Sequence, residues 1–139
     1  GTDAEMVGAW ISEVTGQAVE KPLEEALQSG VLLCNLVNCL KPGTIAKVSK
    51  STMPFPMREN IKAFCDSARV LGVPDRDNFT TDDLFDQRNM KQVLLCVLSL
   101  GRHSYNINGW DGPCLGKPEL ANAGASKNSR FHIKTTTYR

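Results

Sequence analysis

Three carboxylates, Asp82, Asp83 and Asp86 in the run Asp-Asp-Leu-Phe-Asp, are the residues best spaced for chemistry in this chain. Positions i and i+4 share one face of a helix, so Asp82 and Asp86 could present oxygen ligands to magnesium, as carboxylates do around diphosphate substrates. The competing reading is a helix start. Thr80 or Thr81 and the aspartates would satisfy the free N–H groups of a first turn and complement its dipole, while Leu84 and Phe85 plug a core. A diphosphate site also needs a second acidic cluster across a deep apolar cavity, and 139 residues provide neither that cluster nor the length for such an enzyme. Capping is the reading adopted.

Other catalytic arrangements lack their partners. There is no Gly-x-Ser-x-Gly elbow and no Gly-rich phosphate loop. The two histidines, His103 and His132, fall in or beside the C-terminal tail and read as exposed, since zinc would need cysteine pairs at ligand spacing. The five cysteines, Cys34, Cys39, Cys65, Cys96 and Cys114, are odd in number and form no Cys-x-x-Cys pair. Most sit in apolar periodic runs and read as small buried hydrophobes in a reducing compartment. Cys114, outside those runs and beside a basic tail, reads as an inert, partly exposed thiol. The sequon Asn78-Phe79-Thr80 is taken as coincidence. No enzyme activity, metal or cofactor is expected.

Helical periodicity organises the rest. Thr2 and Glu5 form a capping-box pattern before Met6, Val7, Trp10, Ile11 and Val14, and Gly16 supplies a stop. Pro22 suits a first helical position, and Leu23, Leu27, Val31, Cys34, Val37 and Leu40 carry the period on to Lys41-Pro42-Gly43. Leu32, Leu33 and Leu36 fill the other faces, so this helix should be central, with Gly30 as a possible break. A third stripe runs through Met57, Ile61, Phe64, Ala68 and Leu71, with Pro54-Phe55-Pro56 read as a turn before it. The last, Met90, Val93, Leu94, Val97, Leu98 and Gly101, follows Asn89 as N-cap. Nothing in residues 1–101 alternates with period two long enough to be a strand. The expected fold class is therefore all-α, four main helices plus short connecting ones. Its core should include Trp10, Leu33, Leu36, Ile61, Phe64, Leu84, Phe85 and Val93.

Residues 104–139 change character, with Gly, Pro, Ser and Asn replacing the apolar period. Such a tail cannot bury enough apolar surface to order itself as an independent domain, although Tyr105, Ile107, Trp110 or Leu115 could dock on the helices. Charge is polarised along the chain. Residues 1–101 carry 10 Lys/Arg against 13 Asp/Glu, or −3, and residues 102–139 carry 6 against 2, or +4. From Ala26 to Arg58 there are four bases, Lys41, Lys47, Lys50 and Arg58, and no acid. No apolar run approaches the about 18 residues of a membrane span, and the acidic, amphipathic opening is unlike a secretory signal.

Several motifs in order resemble a calponin homology domain of the single-domain type found in calponin and transgelin. They are Trp10 to Gly16, Ser29 to Cys34, Leu40 to Gly43, Glu59-Asn60-Ile61 with Phe64, Leu71-Gly72-Val73, and Asp83-Leu84-Phe85 followed by Asn89 and Gln92-Val93. The resemblance covers about residues 3–103. Gly112-Pro113-x-Leu115-Gly116 is similar to the linker that follows this domain in transgelin-like proteins. The resemblance implies a domain at 3–103 and a basic tail or linker at 104–139. It implies a non-enzymatic module, monomeric, in the cytoplasm and on the cytoskeleton, that binds actin filaments or actin-associated proteins. Neither nucleic acid nor membrane insertion fits. Candidate contacts are Lys41, Lys47, Lys50 and Arg58 in the loop group and Lys117, Lys127, Arg130 and Lys134 in the tail. The alternative is a signalling or scaffold domain that binds protein partners without touching actin.

Overall fold

A computed structural model describes residues 2–116, and among them every regular element is helical. Six α-helices follow in order: α1 (Asp3–Thr15), α2 (Leu23–Ala26), α3 (Val31–Leu40), α4 (Pro54–Val70), α5 (Thr81–Phe85) and α6 (Met90–His103), with short 3-10 turns at Asp75–Asp77 and Ser104–Asn106. The Thr2–Glu5 capping box forms reciprocally: the Glu5 carboxylate accepts from Thr2 N–H at 3.0 Å, and Thr2 Oγ1 accepts from Glu5 N–H at 3.1 Å. Gly16 closes α1 at φ +75°, a left-handed conformation open to glycine at little cost. Asn89 caps α6 by accepting from Gln92 N–H at 3.2 Å.

The helical stretch expected from Pro22 to Leu40, with Gly30 as its possible break, is two helices. Gly30 separates them at φ +80°, and a Cβ there would stand 2.6 Å from Asn60 Cβ and 2.9 Å from Ile61 N. The chain therefore needs glycine twice over at this point, for the backbone conformation and for the close approach of α4. Released from one long axis, α3 packs against both α4 and α1, and α1 in turn against α6. Trp10, Leu33, Leu36, Ile61, Phe64, Leu84 and Val93 are all fully buried in this core.

Four further expectations are corrected. The third long helix begins at Pro54, not after Pro56, because first-turn N–H groups have no intrahelical acceptor and proline there forfeits nothing. Phe85 is half-buried at the rim of the core instead of plugging it, since its ring lies under the Arg58 guanidinium. His103 is the last residue of α6, half-buried, with Nδ1 2.8 Å from Ser99 O and its ring against Gly72. Cys114 is fully buried. It is carried there by residues 107–116, which fold back along the helices.

That return segment is held by specific contacts. The indole N–H groups of Trp10 and Trp110 both donate to the carbonyl oxygen of Pro113, at 2.8 and 3.1 Å. Leu115 N–H donates to Gly101 O at 2.9 Å, and the Leu115 side chain fills the space that a Cβ on Gly101 would take. Tyr105, Ile107 and Leu115 are buried and Trp110 is half-buried.

Candidate partner-binding face

The aspartates of the opening motif are occupied within the fold. Asp83 accepts from Thr80 N–H at 3.0 Å, a capping contact at the start of α5. Asp82 forms a hydrogen-bonded ion pair with Arg58, and the Asp86 carboxylate lies 4.0 Å from Arg58 and 3.9 Å from Arg88. The i and i+4 carboxylates thus converge on a guanidinium. That hydrogen bond holds the Asp82 carboxyl below its usual range and raises Arg58 further. Among the described residues, no three His, Cys, Asp or Glu side chains stand together as metal ligands. The sequon is unavailable as well: Asn78 is buried, its amide donating to Cys65 O at 3.0 Å.

Of the basic loop residues, Lys41, Lys47 and Lys50 are exposed, and none pairs with a carboxylate among the described residues. Arg58 differs from them. It is half-buried, stacked 5.1 Å from the Phe85 ring centroid and neutralised by Asp82. Lys117, Lys127, Arg130, Lys134 and His132 lie outside the described residues.

Two buried or half-buried asparagines fix the loop that carries the lysines. Asn38 grips Ile45 by both amide ends: its Nδ2 donates to Ile45 O at 3.0 Å, and its Oδ1 accepts from Ile45 N–H at 2.8 Å. Asn60 does the same with Ser49, at 2.8 and 3.0 Å, and its Nδ2 also donates to Ser29 O at 3.0 Å. Side-chain amides here replace the ladder that a strand would have given the backbone. The lysines are therefore displayed from a pinned segment, which reduces the entropy lost when a partner orders them.

Beside them is an apolar element that charge counting missed. Phe55 is 72% exposed and Met53 63% exposed, two of the three large exposed hydrophobics among the described residues. Phe55, Glu59 and Ala63 follow at i, i+4 and i+8 along α4 and, with Lys47 and Val48 from the loop, line an open groove of about 700 Å³. The sequence signal was present in the proline pair around Phe55. Two prolines at i and i+2, Pro54 and Pro56, disguised the phenylalanine between them as a turn residue when it lies in the first turn of α4 and faces outward.

A profile of the calponin homology (CH) domain matches residues 2–106. The chain belongs to the calponin homology family. It is 41% identical over 115 residues to myophilin of Echinococcus granulosus and 34% identical over 109 residues to muscle-specific protein 20 of Drosophila melanogaster. These alignments take in 81% and 77% of this chain but 60% and 59% of the relatives, so the chain spans about three fifths of the length of each. It is also 32% identical over 105 residues to Rac guanine nucleotide exchange factor B of Dictyostelium discoideum, covering 74% of this chain and 9% of that protein. Among solved structures, the CH domain of Rng2 from Schizosaccharomyces pombe superposes with a TM-score of 0.70 at 20% identity, covering 97% of this chain and 84% of that one. A CH domain of an IQGAP protein from the same yeast gives 0.69 at 22%, with the same coverage. At those identities the likeness concerns the CH fold, whose helical packing this chain shares.

Proposed function

We propose that this CH domain is a non-enzymatic binding module of the actin cytoskeleton, a cytoplasmic monomer that contacts actin filaments or filament-associated proteins weakly through its basic outer features. The observation that carries the reading is the trio Lys41, Lys47 and Lys50, exposed and in no ion pair among the described residues, on a loop pinned by Asn38 and Asn60. The likeness to muscle-specific protein 20 supports it. A filament offers an acidic surface, to which these lysines and Lys117, Lys127, Arg130 and Lys134 of the tail would be drawn. Residues 1–101 are net negative, so attraction is local and weak, and it falls as salt screens charges over about 8–10 Å.

Co-sedimentation with filamentous actin tests this. The full chain is expected to pellet at low salt and to be released as salt rises. K41E/K47E/K50E and, separately, K117Q/K127Q/R130Q/K134Q should each lower the bound fraction. Pelleting that ignores both salt and these charges would reject the electrostatic reading.

A second reading, a signalling or scaffold domain without direct actin contact, is favoured by the likeness to the Rac exchange factor. It predicts no filament pelleting at any salt concentration.

A further inference from the structure

We infer that the surface between α1 and α6 is a peptide-recognition site for an extended segment of the form Pro-x-Leu, which this chain fills in cis with its own residues 107–116. This goes beyond filament binding and does not depend on it. The occupant is seated in the structure, and its contacts meet matching features on the two helices. Trp10 of α1 presents an indole N–H, which donates to the Pro113 carbonyl oxygen at 2.8 Å. Gly101 presents a carbonyl oxygen in the last turn of α6, where intrahelical donors run out; it accepts from Leu115 N–H at 2.9 Å and from the Ser104 hydroxyl at 2.7 Å. Gly101 also leaves a hole. A Cβ there would stand 2.6 Å from Leu115 Cδ1 and 2.7 Å from its Cγ, so the leucine is admitted because this position carries no side chain. Glycine inside a helix weakens it, and the seat for Leu115 is what it provides in return.

The segment is built as a ligand for that seat. It lies beyond residues 2–106, which the CH profile matches. Its bend is set internally: Trp110 N–H donates to Ile107 O at 3.1 Å, the Trp110 indole N–H to Pro113 O at 3.1 Å, and the ring covers Gly112, where a Cβ would meet Cζ2 at 2.2 Å. A segment that holds its own shape loses less freedom on docking. Pro113 and Leu115 meet the helices through a backbone carbonyl, a backbone N–H and one apolar side chain, which defines the pattern a ligand must carry. Joined to α6 by the short turn Ser104–Asn106, the segment acts at the high local concentration of a brief linker and so excludes the same pattern offered by another molecule. A ligand in trans binds once the hold in cis is weakened.

The test uses the full chain under reducing conditions. Gly101→Ala should lower the melting temperature of the parent, because the new methyl displaces Leu115. In a Leu115→Ser background the same change should raise the melting temperature or leave it unaltered, since alanine is the better helix former. A synthetic peptide of residues 107–116 should then bind the isotope-labelled Leu115→Ser chain, shifting the Trp10 indole N–H and the Gly101 amide in NMR spectra. The same peptide carrying Leu115→Ser should bind about tenfold more weakly or worse, and so should the native peptide offered to G101A/L115S. The parent, whose site is filled, should also bind the native peptide about tenfold or more weakly than the Leu115→Ser chain does. Three results would overturn the inference. They are a Leu115→Ser chain that loses its helical fold, which would make the segment part of the core and no ligand; a Gly101→Ala loss of equal size in both backgrounds; and a peptide that fails to bind, binds without regard to Leu115, or shifts resonances away from Trp10 and Gly101.

Discussion

The indole N–H of Trp10, in the first helix, donates to the carbonyl oxygen of Pro113 at 2.8 Å, across 103 positions of sequence. Trp10 is fully buried with this segment in place, so removing the segment takes away both the indole's acceptor and part of its cover. Ending the chain after Asn106, at the limit of the CH match, should therefore cost stability. Losing the hydrogen bond costs about 0.5–1.5 kcal/mol, and losing the burial of Leu115 about 1.5–3 kcal/mol more. Urea unfolding should show a clearly lower midpoint for that shortened chain than for one ending at Gly116. Equal midpoints would mean that the return segment contributes nothing to the fold.

Gly30 and Gly43 provide a paired test of close approach against backbone conformation. Both have positive φ, +80° and +83°, yet a Cβ meets Asn60 at 2.6 Å at the first site and nothing within 4 Å at the second. Gly43→Ala should cost only the left-handed conformation, about 1–2 kcal/mol. Gly30→Ala adds displacement of α4 and should cost about 3–4 kcal/mol in all. Thermal or urea unfolding of the two variants gives the comparison, and similar losses would contradict the account of the Gly30 break.

The Arg58–Asp82 pair makes stability depend on pH in a defined direction. The hydrogen bond from Arg58 lowers the Asp82 carboxyl from its ordinary 3.8, so the folded state holds the proton less tightly than the unfolded chain does. The pair's contribution is therefore complete above the ordinary carboxylate range and is lost as pH falls through the lowered value. Asp82→Asn should be less stable than the parent at neutral pH, and the gap should close in acid. A gap that stays constant from neutral pH to about pH 2 would rule the pair out as its source.

Thiol reactivity should report burial. Burial pushes the Cys34 thiol up to about 11 and the Cys65 thiol up to about 12, and raises that of Cys96 further. Cys114 is fully buried, and Cys39 alone is half-exposed. A maleimide added to the native protein near neutral pH should label Cys39 first, with the other four reacting only on unfolding. Labelling of Cys114 in the folded protein at the same rate would contradict its burial.

What could be read directly in the sequence was local. The Thr2–Glu5 box, the Gly16 stop and the Asn89 cap each depend on residues within four positions of one another, and the apolar stripes place Trp10, Phe64 and Val97 without reference to distant partners. What was hidden required knowing which segments meet. Asn60 looked like one letter of a motif, but its amide joins Ser29 and Ser49, 31 and 11 residues away. Cys114 lacked a periodic neighbourhood and so seemed exposed, when the two tryptophans holding Pro113 draw it inside. Arg58 counted as a free base because the stretch that ends on it, from Ala26, holds no acid. Its partner, Asp82, arrives from the far side of α4. Phe55 was masked by its prolines, and with it the apolar half of the binding face.

The account stands or falls on whether this fold acts through the charge displayed on its outside. Co-sedimentation of the full chain with filamentous actin at low salt, beside K41E/K47E/K50E/K117E/K127E/R130E/K134E, addresses that directly. The account predicts that the parent pellets and that the charge-reversed protein, equally well folded, loses affinity about tenfold or more. Pelleting of the two to the same extent, or no pelleting of the parent at all, would contradict it.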